Sequence, residues 1–286
     1  MFLLSYNKEK FKTKKNFMKK IALLVIDPQN DFCRPTGALS VPGADKDMER
    51  LAKFVTRNAS KIDYIGLTQD SHMVIDISHP PFWEDKDGNF PDPFTVITAA
   101  DVKSGKWTPR FYPAEALKYL EDLEAQKEFP HCIWRIHCVD GSEGAAIFPV
   151  LMEAVQQWSI EKCWFHKIVK KGTHPLTEHF GIFQANIPIP GEESTQLNDR
   201  LISILNEYDE VYIAGQAKTH CVATSLKQAM KFEKTLAKKF IILEDCMSDI
   251  PGDAAPGLTF VDLAKPIYDD AKALGIKFVK STDVTL

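Results

Sequence analysis

The sequence predicts an α/β protein with three layers, in which helices cover both faces of a mostly parallel six-stranded sheet. Two observations carry this prediction. Strand-like apolar runs alternate with helical patterns along most of the 286 residues, an order typical of parallel sheets with crossover helices. The first run, Ile21 to Ile26, is apolar throughout, as expected for a strand that is buried on both faces.

The predicted elements follow one another in a regular order. Apolar residues at helical spacing between 45 and 60, followed by the strand-like run Tyr64 to Leu67, predict a β-α-β unit. Further strands are predicted at Cys132 to Ile136, Cys163 to Val169, Val211 to Ala214 and Phe240 to Leu243. Helical patterns lie near 114–126, 145–158, 196–207, 219–232 and 258–274. In such a fold ligands bind beyond the carboxyl ends of the strands, so we expect the site there.

Residues of about 80–130 interrupt this alternation. Loops of such length are usually lids, binding loops or interface elements, although the many aromatic residues could equally form a satellite core. The aromatic residues of this stretch include Phe82, Trp83, Phe90, Phe94, Trp107, Phe111 and Tyr112. We predict a basic N-terminal extension at 1–18, with translation starting at Met1 or Met18, and a single domain at 19–286 that carries an insertion at about 80–130.

Composition disfavours several classes of function. Hydrophobic residues at 44% and charged residues at 26% are typical of a globular protein. A net charge of -4 disfavours nucleic acid or an anionic membrane as the partner, and no apolar run approaches the roughly 20 residues that span a bilayer. Six scattered cysteines without a CxxC pair predict reduced thiols and a cytoplasmic location.

Side chains that can carry chemistry follow the predicted strands. They are Asp27, Asp70 with His72, His137, Lys171 and Cys221. Cys221 begins a helical pattern after a strand, where the helix N-terminus favours a thiolate and backbone N–H groups can bind an oxyanion. A single cysteine is nevertheless more often a buried structural residue, so Cys221 alone is a weak signal.

Five separated segments resemble the successive motifs of the nicotinamidase/isochorismatase-like cysteine hydrolase superfamily. These segments are Ile26 to Phe32, Thr68 to His72, His137 to Ala145, Lys171 to Thr173 with Glu178, and Gly215 to Val222. They occur in the order of the family and cover nearly all of residues 19–280. The resemblance is closest to the nicotinamidases, because isochorismatases generally lack both the nucleophilic cysteine and the metal-binding Asp-x-His.

The resemblance implies a catalytic triad of Asp27, Lys171 and Cys221. Asp27 would be the general base and acid, Lys171 the electrostatic partner that steadies the thiolate, and Cys221 the nucleophile that forms a thioester. The neighbouring Lys167 and Lys170 make the choice of lysine depend on the Lys-Gly-Thr match. The resemblance also implies an oxyanion site at the N–H groups of Ala217 and Cys221, with a non-proline cis peptide at Gln216-Ala217.

A metal site of Asp70, His72 and His137 is implied as well. One carboxylate and two imidazoles, with water completing the shell, suit a divalent ion, with Zn expected and Fe or Mn as alternatives. In nicotinamidases this metal binds the pyridine nitrogen of the substrate. His79 is a candidate fourth ligand, but a simple loop residue is equally plausible there.

The walls of the pocket are implied less completely. Phe32 and Trp134 are the candidates for stacking on the substrate ring, with plain core packing as the alternative. The sequence departs from the family at three places: the long insertion, Arg135-Ile136 where prolines are frequent, and Phe180 in place of an expected tyrosine. These departures bear on the substrate more than on the reaction.

The implied function is a metal-dependent thiol amidase of pyridine nucleotide biosynthesis, which hydrolyses nicotinamide to nicotinate and ammonia. The alternative is the same mechanism acting on another small amide or carbamoyl compound. An iron oxygenase would use Asp70, His72 and His137 but would leave Asp27, Lys171 and Cys221 unexplained, and a non-catalytic binding protein would not need the triad. We expect a small-molecule amide as the partner and a homo-oligomer as the assembly.

Overall fold

The structure is a computed structural model that describes residues 19–286. The predicted basic extension at 1–18 lies outside the described residues. Within residues 19–286, no helix has both the length and the apolar character that are needed to cross a membrane. The division into an extension and one domain stays a prediction.

The described part of the chain contains ten strands and nine α-helices. The strands are β1 (Ile21–Ile26), β2 (Tyr64–Asp70), β3 (Trp83–Glu84), β4 (Thr108–Pro109), β5 (Lys167–Lys171), β6 (Glu210–Gly215), β7 (Phe240–Leu243), β8 (Asp253–Ala255), β9 (Leu258–Thr259) and β10 (Lys277–Val279). The helices are α1 (Asn30–Cys33), α2 (Ala44–Arg57), α3 (Ala99–Lys103), α4 (Pro113–Ala125), α5 (Pro149–Lys162), α6 (Asp199–Asn206), α7 (Ala223–Phe232), α8 (Lys234–Ala237) and α9 (Phe260–Leu274). A π-helical turn, Lys218–Val222, leads into α7.

Six strands form one sheet in the order β10-β7-β6-β1-β2-β5, and every neighbouring pair in it is parallel. The central strand β1 is buried along its whole length, because it has a strand on each side and helices above and below. Leu24 lies beside Gly66 of β2 and Ile213 of β6. The predicted α/β fold with a parallel six-stranded sheet is confirmed.

The predicted strand at Cys132 to Ile136 is wrong, although the number of strands is right. The backbone of this segment is bonded to loops instead: Ile133 N–H donates to Thr95 O at 2.8 Å and Trp134 N–H donates to Ser78 O at 2.8 Å. The sixth strand is β10, which the sequence analysis missed. The strand predicted at Cys163 to Val169 begins later, at Lys167, because α5 extends to Lys162 and Cys163 ends it in the left-handed region with φ 50°.

The insertion packs around a second, small hydrophobic core, which we call the insertion core and to which residues outside the insertion also contribute. It is formed by Ile77, Phe82, Trp83, Ile97, Ala99, Ala116, Tyr119, Leu120, Leu123, Ile133 and Ile187. Trp83 is fully buried and its indole N–H donates to Ile77 O at 2.7 Å. Helix α3 begins at a capping box in which Thr98 and Asp101 bond to each other's backbone N–H groups, so even this short helix has its first N–H groups satisfied. A satellite core is therefore present, but it is not the predicted aromatic one. Of the seven aromatic residues named for it, Phe82 and Trp83 are buried in it and Trp107 packs against it, whereas Phe90, Phe94, Phe111 and Tyr112 are exposed.

Candidate active site

Strands β1, β2 and β5 end side by side, and their last residues bring three charged groups together. Lys171 Nζ lies 2.9 Å from Asp27 Oδ2 and 3.0 Å from Asp70 Oδ1. It is also 3.7 Å from Cys221 Sγ and donates to His179 O at 2.8 Å. All four side chains are buried. The structure thus unites Asp27, Lys171 and Cys221, as the resemblance implied.

The geometry distinguishes Lys171 from its neighbour Lys170. Successive side chains of a strand point to opposite faces, and Lys170 pairs with Asp140 at 2.8 Å with half of its side chain exposed. Lys167, at the start of β5, is also exposed. Of these three lysines, Lys171 is the one that contacts Cys221.

Asp27 has an unusual backbone conformation, with φ 44° directly after β1. A residue other than glycine seldom adopts this left-handed region. Two hydrogen bonds with Thr68 of β2 hold it: the Asp27 N–H donates to Thr68 Oγ1 at 2.9 Å, and the Thr68 hydroxyl donates to Asp27 Oδ1. The turn therefore aims the carboxylate at Lys171 instead of along the strand.

Burial controls the protonation of the two reacting groups. It raises the pKa of Asp27 in spite of the opposing charge of Lys171, and Asp70 adds to the increase. Burial also raises the pKa of the Cys221 thiol well above its usual range, which outweighs the attraction of Lys171 for the thiolate. Burial lowers the pKa of Lys171, but the charges of Asp27 and Asp70 raise it by more. The net pKa is well above its usual range, so the ammonium stays charged. The resting thiol of Cys221 is therefore neutral, and Asp27 is a stronger base than an ordinary aspartate.

Cys221 lies in the π-helical turn that follows β6. The peptide bond between Gln216 and Ala217 is cis, at the position that the resemblance implied. The Gln216 side chain is fixed by two hydrogen bonds, because it donates to Asp47 Oδ2 at 2.8 Å and accepts from Ser248 N–H at 3.2 Å. Gly215 is required before it, since a Cβ there would come within 2.0 Å of Ile26 O.

Asp70, His72 and His137 form a group that can hold a metal ion. Their candidate ligand atoms all lie within 4.8 Å of one another, with Asp70 Oδ2 at 3.1 Å from His72 Nε2 and 3.6 Å from His137 Nε2. One carboxylate oxygen and two imidazole nitrogens are a donor set that suits a divalent ion such as zinc, so the residues present fit the predicted metal. Although the predicted strand before His137 does not exist, the parallel bridge between His72 and Val139 brings His137 to the site.

His79, the candidate fourth ligand, lies outside this group. Its Nε2 is 3.2 Å from Nδ1 of His137, on the opposite side of the ring from the nitrogen that faces Asp70. Its Nδ1–H donates to Met73 O at 3.0 Å. His79 therefore contacts a candidate ligand from behind instead of acting as one.

Aromatic rings pack against His137 and against His220, the residue before Cys221. Phe32 packs edge-on against His137 with ring centroids 5.4 Å apart, and Trp134 packs in the same way against His220 at 5.2 Å. His220 also contacts three phenylalanine rings, those of Phe129, Phe180 and Phe260. Burial lowers the pKa of His220 to about 3, so this imidazole is neutral. Of these rings, the sequence analysis named Phe32, Trp134 and Phe180. It missed Phe129 and Phe260, because they come from distant parts of the chain.

Glu178 is a buried acid to which the sequence assigned no role. Burial raises its pKa to about 7, with opposing contributions from His72 and Lys171. Within the described part of the chain its Oε2 has no hydrogen-bond partner, and the same holds for the hydroxyl of Tyr119 on α4. The charge of Glu178 also raises the pKa of Tyr119, after the larger effect of burial. Glu178 thus couples electrostatically both to the site and to a helix of the insertion.

Comparison with known proteins adds a family resemblance to this geometry. No protein-family model matches the chain. The chain is 26% identical to a nicotinamidase of Escherichia coli K12 over 210 residues, which cover 73% of this chain and 76% of that protein. It is 27% identical to a nicotinamidase of Saccharomyces cerevisiae over 214 residues, which cover 74% of this chain and 83% of that protein.

Solved structures share the fold. A nicotinamidase/pyrazinamidase of Acinetobacter baumanii superposes with a TM-score of 0.61 and 22% identity, covering 93% of this chain and 99% of that one. A yeast nicotinamidase bound to nicotinaldehyde gives 0.60 at 21% identity, covering 91% and 99%. A pyrazinamidase of Pyrococcus horikoshii in complex with zinc gives 0.51 at 21% identity, covering 91% and 99%. The relatives confirm the nicotinamidase-like resemblance, and the structures confirm the fold.

Proposed function

We propose that this nicotinamidase-like chain is a thiol amidase that hydrolyses nicotinamide to nicotinate and ammonia. The observation that carries the proposal is the buried contact of Lys171 Nζ with both Cys221 Sγ, at 3.7 Å, and Asp27 Oδ2, at 2.9 Å. A nucleophile, a base and a cation that steadies the developing anion are the parts that an amidase needs. The curated relatives that match the chain are nicotinamidases.

The reaction would proceed in two halves. Asp27 accepts the proton of the Cys221 thiol, and the sulfur forms a bond to the amide carbon while the N–H groups of Ala217 and Cys221 stabilise the oxyanion. The C–N bond then breaks, and Asp27 returns the proton to the leaving nitrogen, which departs as ammonia. In the second half Asp27 takes a proton from water, the hydroxyl oxygen attacks the thioester carbon, and the C–S bond breaks as Asp27 reprotonates the sulfur. Lys171 stays charged throughout.

Asp70, His72 and His137 would hold the metal, and we propose zinc as the ion. A structural relative of this chain, the Pyrococcus horikoshii pyrazinamidase, was solved in complex with zinc. When bound, the ion would supply a Lewis acid that holds a ring nitrogen of the substrate. Phe32 and Trp134 would pack on the aromatic ring, so that its carboxamide faces Cys221.

The test is ammonia release by the purified protein from nicotinamide, pyrazinamide, benzamide and a ureido compound. We expect release from nicotinamide, its loss in Cys221→Ala, and much less release from benzamide, which lacks the ring nitrogen. Cys163→Ala is the matched control, because Cys163 is exposed and its removal should leave the rate unchanged. Cys221-dependent release from the ureido compound alone would favour the alternative substrate class, and release that persists in Cys221→Ala would refute the thiol mechanism.

We propose that the chain acts as a homo-oligomer in the cytoplasm. Sedimentation of the full chain tests the first point, since a single species of monomer mass at micromolar concentration would contradict it. Fractionation of the source cells tests the second.

A further inference from the structure

We propose that Asp76 is a positioning residue of the metal site, through which the base of the insertion orients the imidazole of His72. This inference depends on the metal-binding part of the proposed function. Asp76 contributes no ligand atom to the group of Asp70, His72 and His137. It acts on the ion through the ring of His72.

Both carboxylate oxygens of Asp76 are hydrogen-bonded. Its Oδ2 lies 3.1 Å from Nδ1 of His72. Its Oδ1 accepts from the backbone N–H of Ser78 at 3.0 Å and from the Ser78 hydroxyl at 2.8 Å. Asp76 is 1% exposed and Ser78 is fully buried, so water does not compete for these bonds. The carboxylate is therefore fixed, and His72 Nδ1 donates its proton to a stationary acceptor.

This bond selects the tautomer that metal binding needs. With Nδ1 protonated, the lone pair of the neutral ring is on Nε2, which is the nitrogen that faces Asp70 at 3.1 Å. A carboxylate behind a ligand histidine fixes the ring orientation and makes the coordinating nitrogen more basic. His137 is arranged in a similar way with weaker acceptors, because its Nδ1 donates to Arg135 O at 2.8 Å and also faces His79 Nε2 at 3.2 Å.

The insertion holds the segment that contains Asp76. Ile77 O accepts from the indole N–H of Trp83 at 2.7 Å and from Nε2 of His131 at 3.0 Å. On the other side, Ile77 N–H donates to Pro175 O at 2.8 Å, next to the loop that follows β5. Asp76 therefore lies in a short segment that is hydrogen-bonded to the insertion on one side and to the loop after β5 on the other. Packing of the insertion can thereby affect the orientation of the metal ligands.

The test measures zinc affinity by competition with a chromophoric chelator, together with the visible absorption spectrum of the cobalt-substituted protein. Asp76→Asn keeps the shape of the side chain, but its amide cannot accept from both His72 and Ser78. We expect its zinc dissociation constant to rise roughly 10- to 100-fold and the cobalt bands to change. Asp101→Asn is the matched control: Asp101 also accepts bonds from a nearby threonine and its backbone, but these bonds cap α3. Its zinc affinity should equal that of the unchanged protein.

A second variant covers the case in which Asp76→Asn does not fold. Ser78→Ala removes one of the bonds that fix Asp76, and we expect zinc binding to weaken by about threefold. Zinc affinity that stays within experimental error in every folded variant at these two positions would overturn the proposal. Failure of the unchanged protein to bind zinc would overturn it too, yet Cys221-dependent ammonia release, measured separately, would leave the amidase itself standing.

Discussion

The sheet core and the insertion core serve the site in different ways. The sheet core places the charged groups directly, because Asp27, Asp70 and Lys171 stand at the ends of neighbouring parallel strands. The insertion core adds no member of the triad and reaches the site through hydrogen bonds at Ile77 and through the segment that ends at His79. The comparison indicates that parallel strands bring the reactive groups together, whereas the second core adjusts the orientation of groups that are already there.

Substitution of Lys171 tests the sheet side and should have the largest effect. Lys171→Met leaves Asp27 and Asp70 buried without their cation, which should cost on the order of 3 kcal/mol or more of unfolding free energy. We also expect amide hydrolysis to fall by about 10³-fold or more, as when a member of a catalytic triad is removed. Ammonia release and urea unfolding measure the two effects.

Lys170→Met is the matched control for that experiment. Its exposed pair with Asp140 should contribute less than about 1 kcal/mol. Equal losses in the two variants would contradict the assignment of Lys171.

Two substitutions in the insertion core separate its stability from its influence on the site. Leu120→Ala removes a buried side chain of α4 and should cost about 3 kcal/mol. Trp83→Phe should cost about 2 kcal/mol and also removes the bond to Ile77 O. Limited proteolysis should cut the insertion faster in both, while zinc affinity should fall only in Trp83→Phe. An equal fall in zinc affinity in both variants would mean that the metal site responds to loosening of the whole insertion and not to loss of the bond at Ile77.

Glu178, which is coupled to both regions, should make the stability of the protein depend on pH. Burial raises its pKa from the ordinary 4.5 to about 7, so between these values the folded protein holds a proton that the unfolded chain has released. The free energy of unfolding should therefore fall as the pH rises through this window, by at most about 3 kcal/mol, and level off above it. Glu178→Gln should lack this slope. Urea unfolding of chelator-treated protein at pH 5 and pH 8 gives the difference, and parallel curves for both proteins would refute the prediction.

The smallest effects are expected at two capping boxes that have the same composition. Thr98 and Asp101 begin α3 in the insertion, and Thr259 and Asp262 begin α9 against the sheet. Replacing either threonine by alanine should cost about 1 kcal/mol locally. We expect Thr259→Ala to lower the midpoint of global unfolding, and Thr98→Ala to speed hydrogen exchange mainly in α3. A global shift of equal size in both would show that the two cores unfold as one unit.

The sequence predicted the sheet well where the pattern was strong. An uninterrupted apolar run defines β1, whereas β10 is three residues long and partly exposed, which leaves no pattern to detect. The segment from Cys132 has the composition of a buried strand, but composition does not reveal that its hydrogen-bond partners are loops. Burial alone was predictable there, and the pairing was not.

The site, like the sheet, was predictable only in part. Residues that follow strands could be expected to meet, because parallel strands end at one edge of the sheet. Asp76 and Phe260 could not, since their places depend on how the insertion and the last helix fold back. Glu178 was visible only as part of a motif, and its raised pKa arises from burial, which depends on the packing of the whole molecule.

The protonated thiol of Cys221 has a consequence for how the protein reacts with oxidants. Peroxides and alkylating reagents attack thiolates, and burial raises the pKa of Cys221 so that its resting thiol is protonated. The exposed Cys163 is a more accessible thiol on the surface. The burial that raises the pKa of Cys221 should therefore slow its reaction with oxidants at rest, and Cys163 is the more accessible position for chemical labelling.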